Sequence, residues 1–228
     1  MTPSPGDTAA PAPARAIPNH HADHPGFAGV RGLAAAACFS IGRGATADLA
    51  VRLAGLGPDD DVVDIGCGPG VAARRAAAVS GSVVGVDPAP VMLRVARSLG
   101  GASRRGGQGV RYLLGAAESL PLPDDSATVV WSLATVHHWR DLDAGLGEAR
   151  RVLRAAGRLL VIERRIEPGA SGHASHGWTG DHAQRFAELC RNAGFTDVEI
   201  GHHRSGRGQV VSLTARAPAL AAGGRAQG

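Results

Sequence analysis

Apolar residues recur along this chain in two rhythms. From residue 61 onward, short β-branched runs ("DVVDIG", "SVVGVD", "VRYLLG", "ATVVWSL" and "GRLLVIER") are separated by stretches in which apolar positions return every three or four residues. The runs predict strands. The intervening stretches "VAARRAAAVS", "PVMLRVARSLG" and "LDAGLGEARRVL" predict helices, the second with Val91, Met92, Val95, Ala96 and Leu99 on one face. Strands that are apolar throughout and alternate with helices belong in a parallel sheet covered on both sides. The expected fold is therefore α/β, with a doubly wound, mostly parallel sheet.

The two ends depart from that alternation. Ahead of the first strand, "FAGVRGLAAAACFS" and "GATADLAVRLAGL" read as helices, the latter carrying Leu49, Leu53 and Leu56 at helical spacing and ended by Gly55 and Gly57. After the last crossover, "DHAQRFAELCRNA" is a helix with Phe186, Leu189, Cys190 and Ala193 as its buried stripe. Two strands follow, "TDVEIGHHR" and "QVVSLTAR", joined by "SGRG". That link is too short for a crossover helix, so the pair should be an antiparallel hairpin. Residues 1–18 are Pro/Ala-rich and are expected to be disordered, as is a tail from 217 to 228. Residues 19–42 are left as an N-terminal cap or lid segment, and 43–216 as the domain.

A chain of 228 residues suits one α/β domain with an extension. Hydrophobic residues make up 44% but aromatics only 4%, which predicts a tightly packed core of small side chains. The 24 basic residues are all arginine, and the net charge is +4. No aromatic residues interleave with the arginine pairs, so these read as solvated surface, and a nucleic-acid partner is not expected. Cys38, Cys67 and Cys190 lie far apart and suggest neither a disulfide framework nor a thiolate metal site, which fits a reducing cytoplasm. The run "LAAAACF" is too short to cross a bilayer, and no membrane partner is expected.

The chemistry starts at "VVDIGCGPG", where the first strand gives way to Gly66, Gly68 and Gly70. In a doubly wound sheet the first strand-to-helix turn adjoins the ligand crevice, and glycines there let backbone N–H groups come close to the ligand. The dinucleotide fingerprint G-x-G-x-x-G would need glycine at position 71, which is Val71, and the phosphate loop G-x-x-x-x-G-K-[ST] needs a lysine that the chain lacks. Asp87 closes the second strand. Its carboxylate could accept hydrogen bonds from both hydroxyls of a ribose, or cap the helix that follows Pro88.

Four blocks, "VVDIGCGPG", "GVDPAPVML", "GAAESLPLPDDSATVVWSLATVHHW" and "EARRVLRAAGRLLVIER", resemble in order and spacing the class I S-adenosylmethionine-dependent methyltransferases. The likeness is to the type 11, ubiquinone/menaquinone-biosynthesis-like branch, over about residues 43–215. The resemblance implies a seven-stranded Rossmann-like sheet and S-adenosyl-L-methionine as cofactor. It further implies that Asp64, Gly66, Cys67, Gly68 and Gly70 surround the methionine and ribose parts, and that Asp87, with Pro88 beside it, meets the ribose. Met92, Ala117 and Glu118 would then lie on the adenine side, with Ser132 beside the methionine moiety. Two positions depart from the family pattern. Ala116 stands where many relatives have an aspartate toward the adenine amino group, and Ala127–Thr128 replaces a Phe–Asp pair. Losing one such hydrogen bond costs about 1 kcal/mol.

Methyl transfer from a sulfonium needs alignment and exclusion of water, and a general base only where the nucleophile carries a proton. His137 and His138, after the fourth strand, are the candidate catalytic residues. His20, His21 and His24 in "NHHADH", His173 and His176 in "HASHGW", and Trp139 are candidates for the wall of a small-molecule acceptor pocket, with Trp178 beside them. Core packing is the competing reading for both tryptophans. A metal is not expected, because no carboxylate or thiol set of recognisable spacing joins "NHHADH".

Two further functions stay open. Nucleic-acid methylation is suggested by a pI of about 9.7. Against it stand "WSLATVHHW", in place of the N/D-P-P-Y/F signature of amino-group methylation, and the absence of a Pro-Cys nucleophile. A cofactor-binding protein without catalysis finds its support in Ala116.

Overall fold

The computed structural model describes residues 43–100, 109–171 and 175–219. Helix α1 (Gly44–Ala54) leads into β1 (Asp61–Ile65), α2 (Val71–Ala76), β2 (Ser82–Asp87), α3 (Pro90–Leu99), β3 (Arg111–Leu114) and β4 (Ala127–Leu133). A short 3-10 turn (Val136–His138) precedes α4 (Leu142–Val152), β5 (Leu153–Arg164), α5 (Gly180–Asn192), β6 (Thr196–Ser205) and β7 (Gly208–Arg216). The strands form one seven-stranded sheet in the order β3-β2-β1-β4-β5-β7-β6. It is parallel from β3 through β5, and β7 runs antiparallel to both β5 and β6. This is the expected doubly wound sheet with its C-terminal hairpin.

Successive residues of a strand face opposite sides, and that period divides the core. Val62, Val129, Trp131, Leu160 and Ile162 face α1, α2 and α3, where Leu49, Ala50, Ala73, Ala76, Leu93 and Ala96 meet them. Their neighbours Val63, Val130, Leu159 and Val161 face α4 and α5, against Leu146, Ala149, Phe186 and Cys190. Gly55 ends α1 in the left-handed conformation (φ 58°), where glycine carries no Cβ penalty.

Several boundaries differ from those read in the sequence. Strand β5 begins at Leu153, directly after α4, and α2 stops at Ala76 although its Ala-rich text continues. Leu99 is 52% exposed and lies off the buried face of α3, which Leu93 joins instead. Residues 217–219, at the start of the expected tail, are among those described. Ala217 donates to the Gly157 carbonyl and Pro218 accepts from Ala156, which fastens both beside β5. Residues 1–42, and with them the extension, the cap helix, Cys38, His20, His21 and His24, lie outside the described residues, as does His173. Among the described residues no helix is long and apolar enough to cross a membrane.

Three of the arginine pairs serve internal contacts. Arg74 donates to the Pro69 carbonyl at 2.7 Å, Arg75 pairs with Asp48, and Arg151 ties Glu148 to Asp124 and to the Leu120 and Leu122 carbonyls. Arg164 donates from Nε to the carbonyl of His176 at 2.9 Å. Thr128, at the departing position of β4, bonds Asp60 through its hydroxyl and accepts from the Asp61 N–H, joining β4 to β1.

Candidate cofactor cleft and histidine cluster

The strand order reverses between β1 and β4, which opens a crevice at their carboxyl ends. The glycine loop turns across it with Gly66, Gly68 and Gly70 all at positive φ (71°, 52° and 76°). Each glycine is needed for a different reason. A Cβ on Gly66 would lie 2.6 Å from Thr135 Oγ1, and one on Gly70 would run into the Tyr112 phenol, whereas one on Gly68 would meet nothing within 4 Å. The first and third glycines admit protein, and the middle one leaves open space.

Asp87 holds this loop to the start of α3. Its Oδ2 accepts from the Gly68 N–H at 2.8 Å and its Oδ1 from the Ala89 N–H at 2.9 Å. The helix cap itself is Ala89, so Asp87 makes a side-chain turn two residues onward and does not cap α3. Burial raises its pKa, against the opposing pull of the two N–H groups. Each carboxylate oxygen keeps a second lone pair, which two ribose hydroxyls could use.

Asp64 sits beneath the loop, 2% exposed, and its Oδ2 has no hydrogen-bond partner among the described residues. Burial lifts its pKa to about 7, with the charge of Asp87 adding to the effect. Because the folded value exceeds the ordinary 3.8, the folded chain holds a proton that the unfolded chain has released. That contribution to stability is complete below about pH 4 and is lost as pH rises through about 7. Asp64→Asn is expected to flatten this slope, worth at most about 4 kcal/mol, in urea midpoints measured from pH 4 to 8. An unchanged slope would show that another group causes it.

Asp64, Gly66, Cys67, Pro69, Leu133 and Ala134 line a cleft that opens to solvent, together with Arg43 and Thr46 from the start of α1. Tyr112 turns a buried hydroxyl with no partner among the described residues toward Gly70. Ser132 Oγ shares a 2.6 Å hydrogen bond with Thr135, whose hydroxyl also donates to the Ile65 carbonyl. This pair ties the end of β4 to the glycine loop.

The remaining predicted residues are placed as follows. Met92 is buried with Val91 on α3, Pro88 is exposed between Asp87 and that helix, and Cys67 is buried with its thiol pKa raised by burial. Ala117 packs in the core, while Glu118 Oε1 accepts from the N–H groups of Arg140 and Asp141 and so braces the entry to α4. Trp139 is 4% exposed in the core. Its ring fills the space that Gly145 leaves in the middle of α4, which accounts for a residue costing about 1 kcal/mol against alanine in a helix. Trp178 is likewise in the core, 4.8 Å from the Phe186 ring. Both tryptophans pack in the core on the α4 and α5 side of the sheet.

Beside the cleft, the 3-10 turn after β4 carries His137 and His138. Their ring centroids are 4.1 Å apart, and that of His176 lies 5.5 Å from the first and 5.8 Å from the second. Glu163, wholly buried at the end of β5, supports the turn. Its Oε1 accepts from the Val136 N–H and its Oε2 lies 2.9 Å from His137 Nδ1. Glu163, Thr135, Tyr112 and Arg43 were not singled out in the sequence. Glu163 did leave a signal, as a lone carboxylate at the end of the apolar run "LLVIE".

A family model described as a methyltransferase domain, type 11, matches residues 63–161. That segment runs from β1 to β5 and holds the glycine loop, Asp87 and the histidine turn. Over that segment the chain is similar to the S-adenosylmethionine-dependent methyltransferases of type 11. It is 35% identical over 115 residues to the uncharacterized methyltransferase YcgJ of Bacillus subtilis, covering 50% of this chain and 45% of that protein. It is 37% identical over 116 residues to the malonyl-[acyl-carrier protein] O-methyltransferase of Serratia marcescens, covering 50% and 43%. The chain thus matches a little under half the length of these curated relatives. A SAM-dependent methyltransferase from Aquifex aeolicus superposes with a TM-score of 0.60 at 18% identity, over 75% of this chain and 89% of that one, and so has the same fold.

The cofactor of this family is S-adenosylmethionine, and the residues present fit it. The molecule carries a ribose diol, a sulfonium and an α-ammonium group. The cleft offers a carboxylate with an oxygen unpartnered among the described residues in Asp64, and the glycine loop beside it adds the Asp87 carboxylate and open space at Gly68.

Proposed function

We propose that the chain is an enzyme that transfers the methyl group of S-adenosylmethionine to a small-molecule acceptor by direct displacement. The observation that carries this reading is the junction of the glycine cleft with the histidine turn. Thr135 touches the glycine loop on one side, and the next three residues, Val136, His137 and His138, present two imidazoles on the other. The bound cofactor supplies an activated methyl group, so the chain's part is to hold, orient and keep out water.

In this reading Asp87 and the Gly66–Gly70 loop hold the nucleoside end, and Asp64 lies against a cationic group. The acceptor enters on the side of His137, His138 and His176. When the acceptor is a hydroxyl or amine, an imidazole takes its proton. Glu163 favours the His137 tautomer with the proton on Nδ1, which leaves the basic lone pair on Nε2. The cytoplasm is the setting this reading assigns, in keeping with the buried free thiols Cys67 and Cys190.

The test begins with calorimetry of S-adenosylmethionine, S-adenosylhomocysteine and NAD, followed by an acceptor screen. Binding of the first two without NAD, and turnover of a small molecule, are expected; preference for NAD would end the reading. On the acceptor found, the double variant His137→Ala/His138→Ala should lower kcat about 100-fold while cofactor affinity stays unchanged. Full activity in that variant would remove both residues from the mechanism.

A further inference from the structure

From the histidine cluster we infer that His137, His138 and His176 form a binding site for a divalent first-row transition-metal ion. One ligand nitrogen from each lies within 4.8 Å of the others, and all three side chains are part-buried. Metal–imidazole bonds of about 2.0–2.1 Å require ligating nitrogens about 3.3 Å apart in a tetrahedral site. The cluster therefore needs only rotamer adjustments to close on an ion.

Three features make this more than a chance meeting of side chains. The residues come from separate segments, since His176 lies 39 positions beyond His137. Each segment is fastened independently. His176 is gripped through its carbonyl by Arg164 Nε, and the chain just beyond it pairs with the end of β5 through Trp178 N–H to Arg164 O at 2.8 Å and Ile166 N–H to Trp178 O at 2.9 Å. His137 has a buried carboxylate at Nδ1, from Glu163, the usual outer partner of a metal-bound histidine, which orients the ring and makes Nε2 a better ligand. Three imidazoles without a thiolate or a carboxylate touching the ion suit zinc, cobalt, nickel or copper over magnesium or calcium. The site leaves a fourth position open for water or an acceptor oxygen.

No metal was expected from the sequence, where no carboxylate or thiol set of recognisable spacing joins "NHHADH", and His176 lies far from "HH" along the chain. A metal would use the lone pair that a free base uses, and would ease loss of the acceptor's proton by polarising its oxygen. The inference rests on the three imidazoles and stands apart from the methyl-transfer reading.

The test uses the full chain after chelator treatment, titrated with Zn²⁺ in a calorimeter and with Co²⁺ in a spectrophotometer. Expected results are one ion per chain, a Co²⁺ visible spectrum of nitrogen ligation, loss of both signals in His138→Ala/His176→Ala, and a loss of about 10–100-fold in Zn²⁺ affinity in Glu163→Gln. The triple variant His20→Ala/His21→Ala/His24→Ala should bind as the wild type does. Absence of uptake by the wild type would overturn the site, as would equal uptake by the double variant or loss of uptake in the triple variant. S-adenosylhomocysteine binding, measured on the same samples, shows that each variant is folded. It also separates the two readings: cofactor binding without metal uptake sinks only the metal site, and metal uptake without cofactor binding sinks only the methyltransferase reading.

Discussion

Asp87→Ala is expected to lower cofactor affinity about 100-fold or more. The carboxylate is 7% exposed and accepts two backbone N–H groups, from Gly68 and Ala89. Its removal leaves both donors without their acceptor at a cost of about 1–3 kcal/mol each, and it also deletes the group proposed to hold the ribose hydroxyls. Asp87→Asn keeps one acceptor oxygen and should lose less. Calorimetry with S-adenosylhomocysteine on both variants checks the order. Wild-type affinity in Asp87→Ala would mean that the ligand lies elsewhere, whatever the loop looks like.

The second large effect separates two neighbouring glycines. Gly66→Ala should destabilise the fold by about 2–5 kcal/mol, since it adds the left-handed penalty of about 1–2 kcal/mol to overpacking of about 1–3 kcal/mol. Thr135 is the residue it strikes, and Thr135 cannot move freely while bonded to Ser132 and the Ile65 carbonyl. Gly68→Ala pays only the backbone penalty, because its new methyl group points into open space. That space is where the proposed function puts the ligand, so Gly68→Ala should lose cofactor affinity with little change in its urea midpoint. Equal effects of the two variants on both measurements would contradict the division of labour in this loop.

Much of this architecture was legible because it depends on neighbours in the chain. A β-branched run shows its strand, and a period of three to four residues shows which helix face is covered. The link from β6 to β7 was too short to allow anything but a hairpin, and β7 does run antiparallel to β6. The glycine loop and Asp87 were visible for the same reason, as local punctuation at the ends of β1 and β2. Leu99 shows the limit, since it keeps the right spacing on the last turn of α3 and is still 52% exposed. Periodicity names a face without saying how far the covering surface extends.

The site has the same division. His137 and His138 can be found from their place after β4, but nothing in their spacing discloses Glu163, 26 positions away, whose carboxylate reaches them only because β4 and β5 pair in register. The tryptophans were ambiguous as text and are core residues in the folded chain, since a large ring beside a functional segment reads the same whether a cleft or Gly145 receives it. Read alone, then, the residues settled the α/β class, the hairpin and the glycine turn at the end of β1, because periodicity, turn chemistry and loop length are local properties of the backbone. Tertiary structure alone decided that Arg164 and the strand pairing at Trp178 carry His176 to His137, and that a buried carboxylate orients the pair. Contacts between distant segments follow from sheet register and loop closure, which no local pattern encodes.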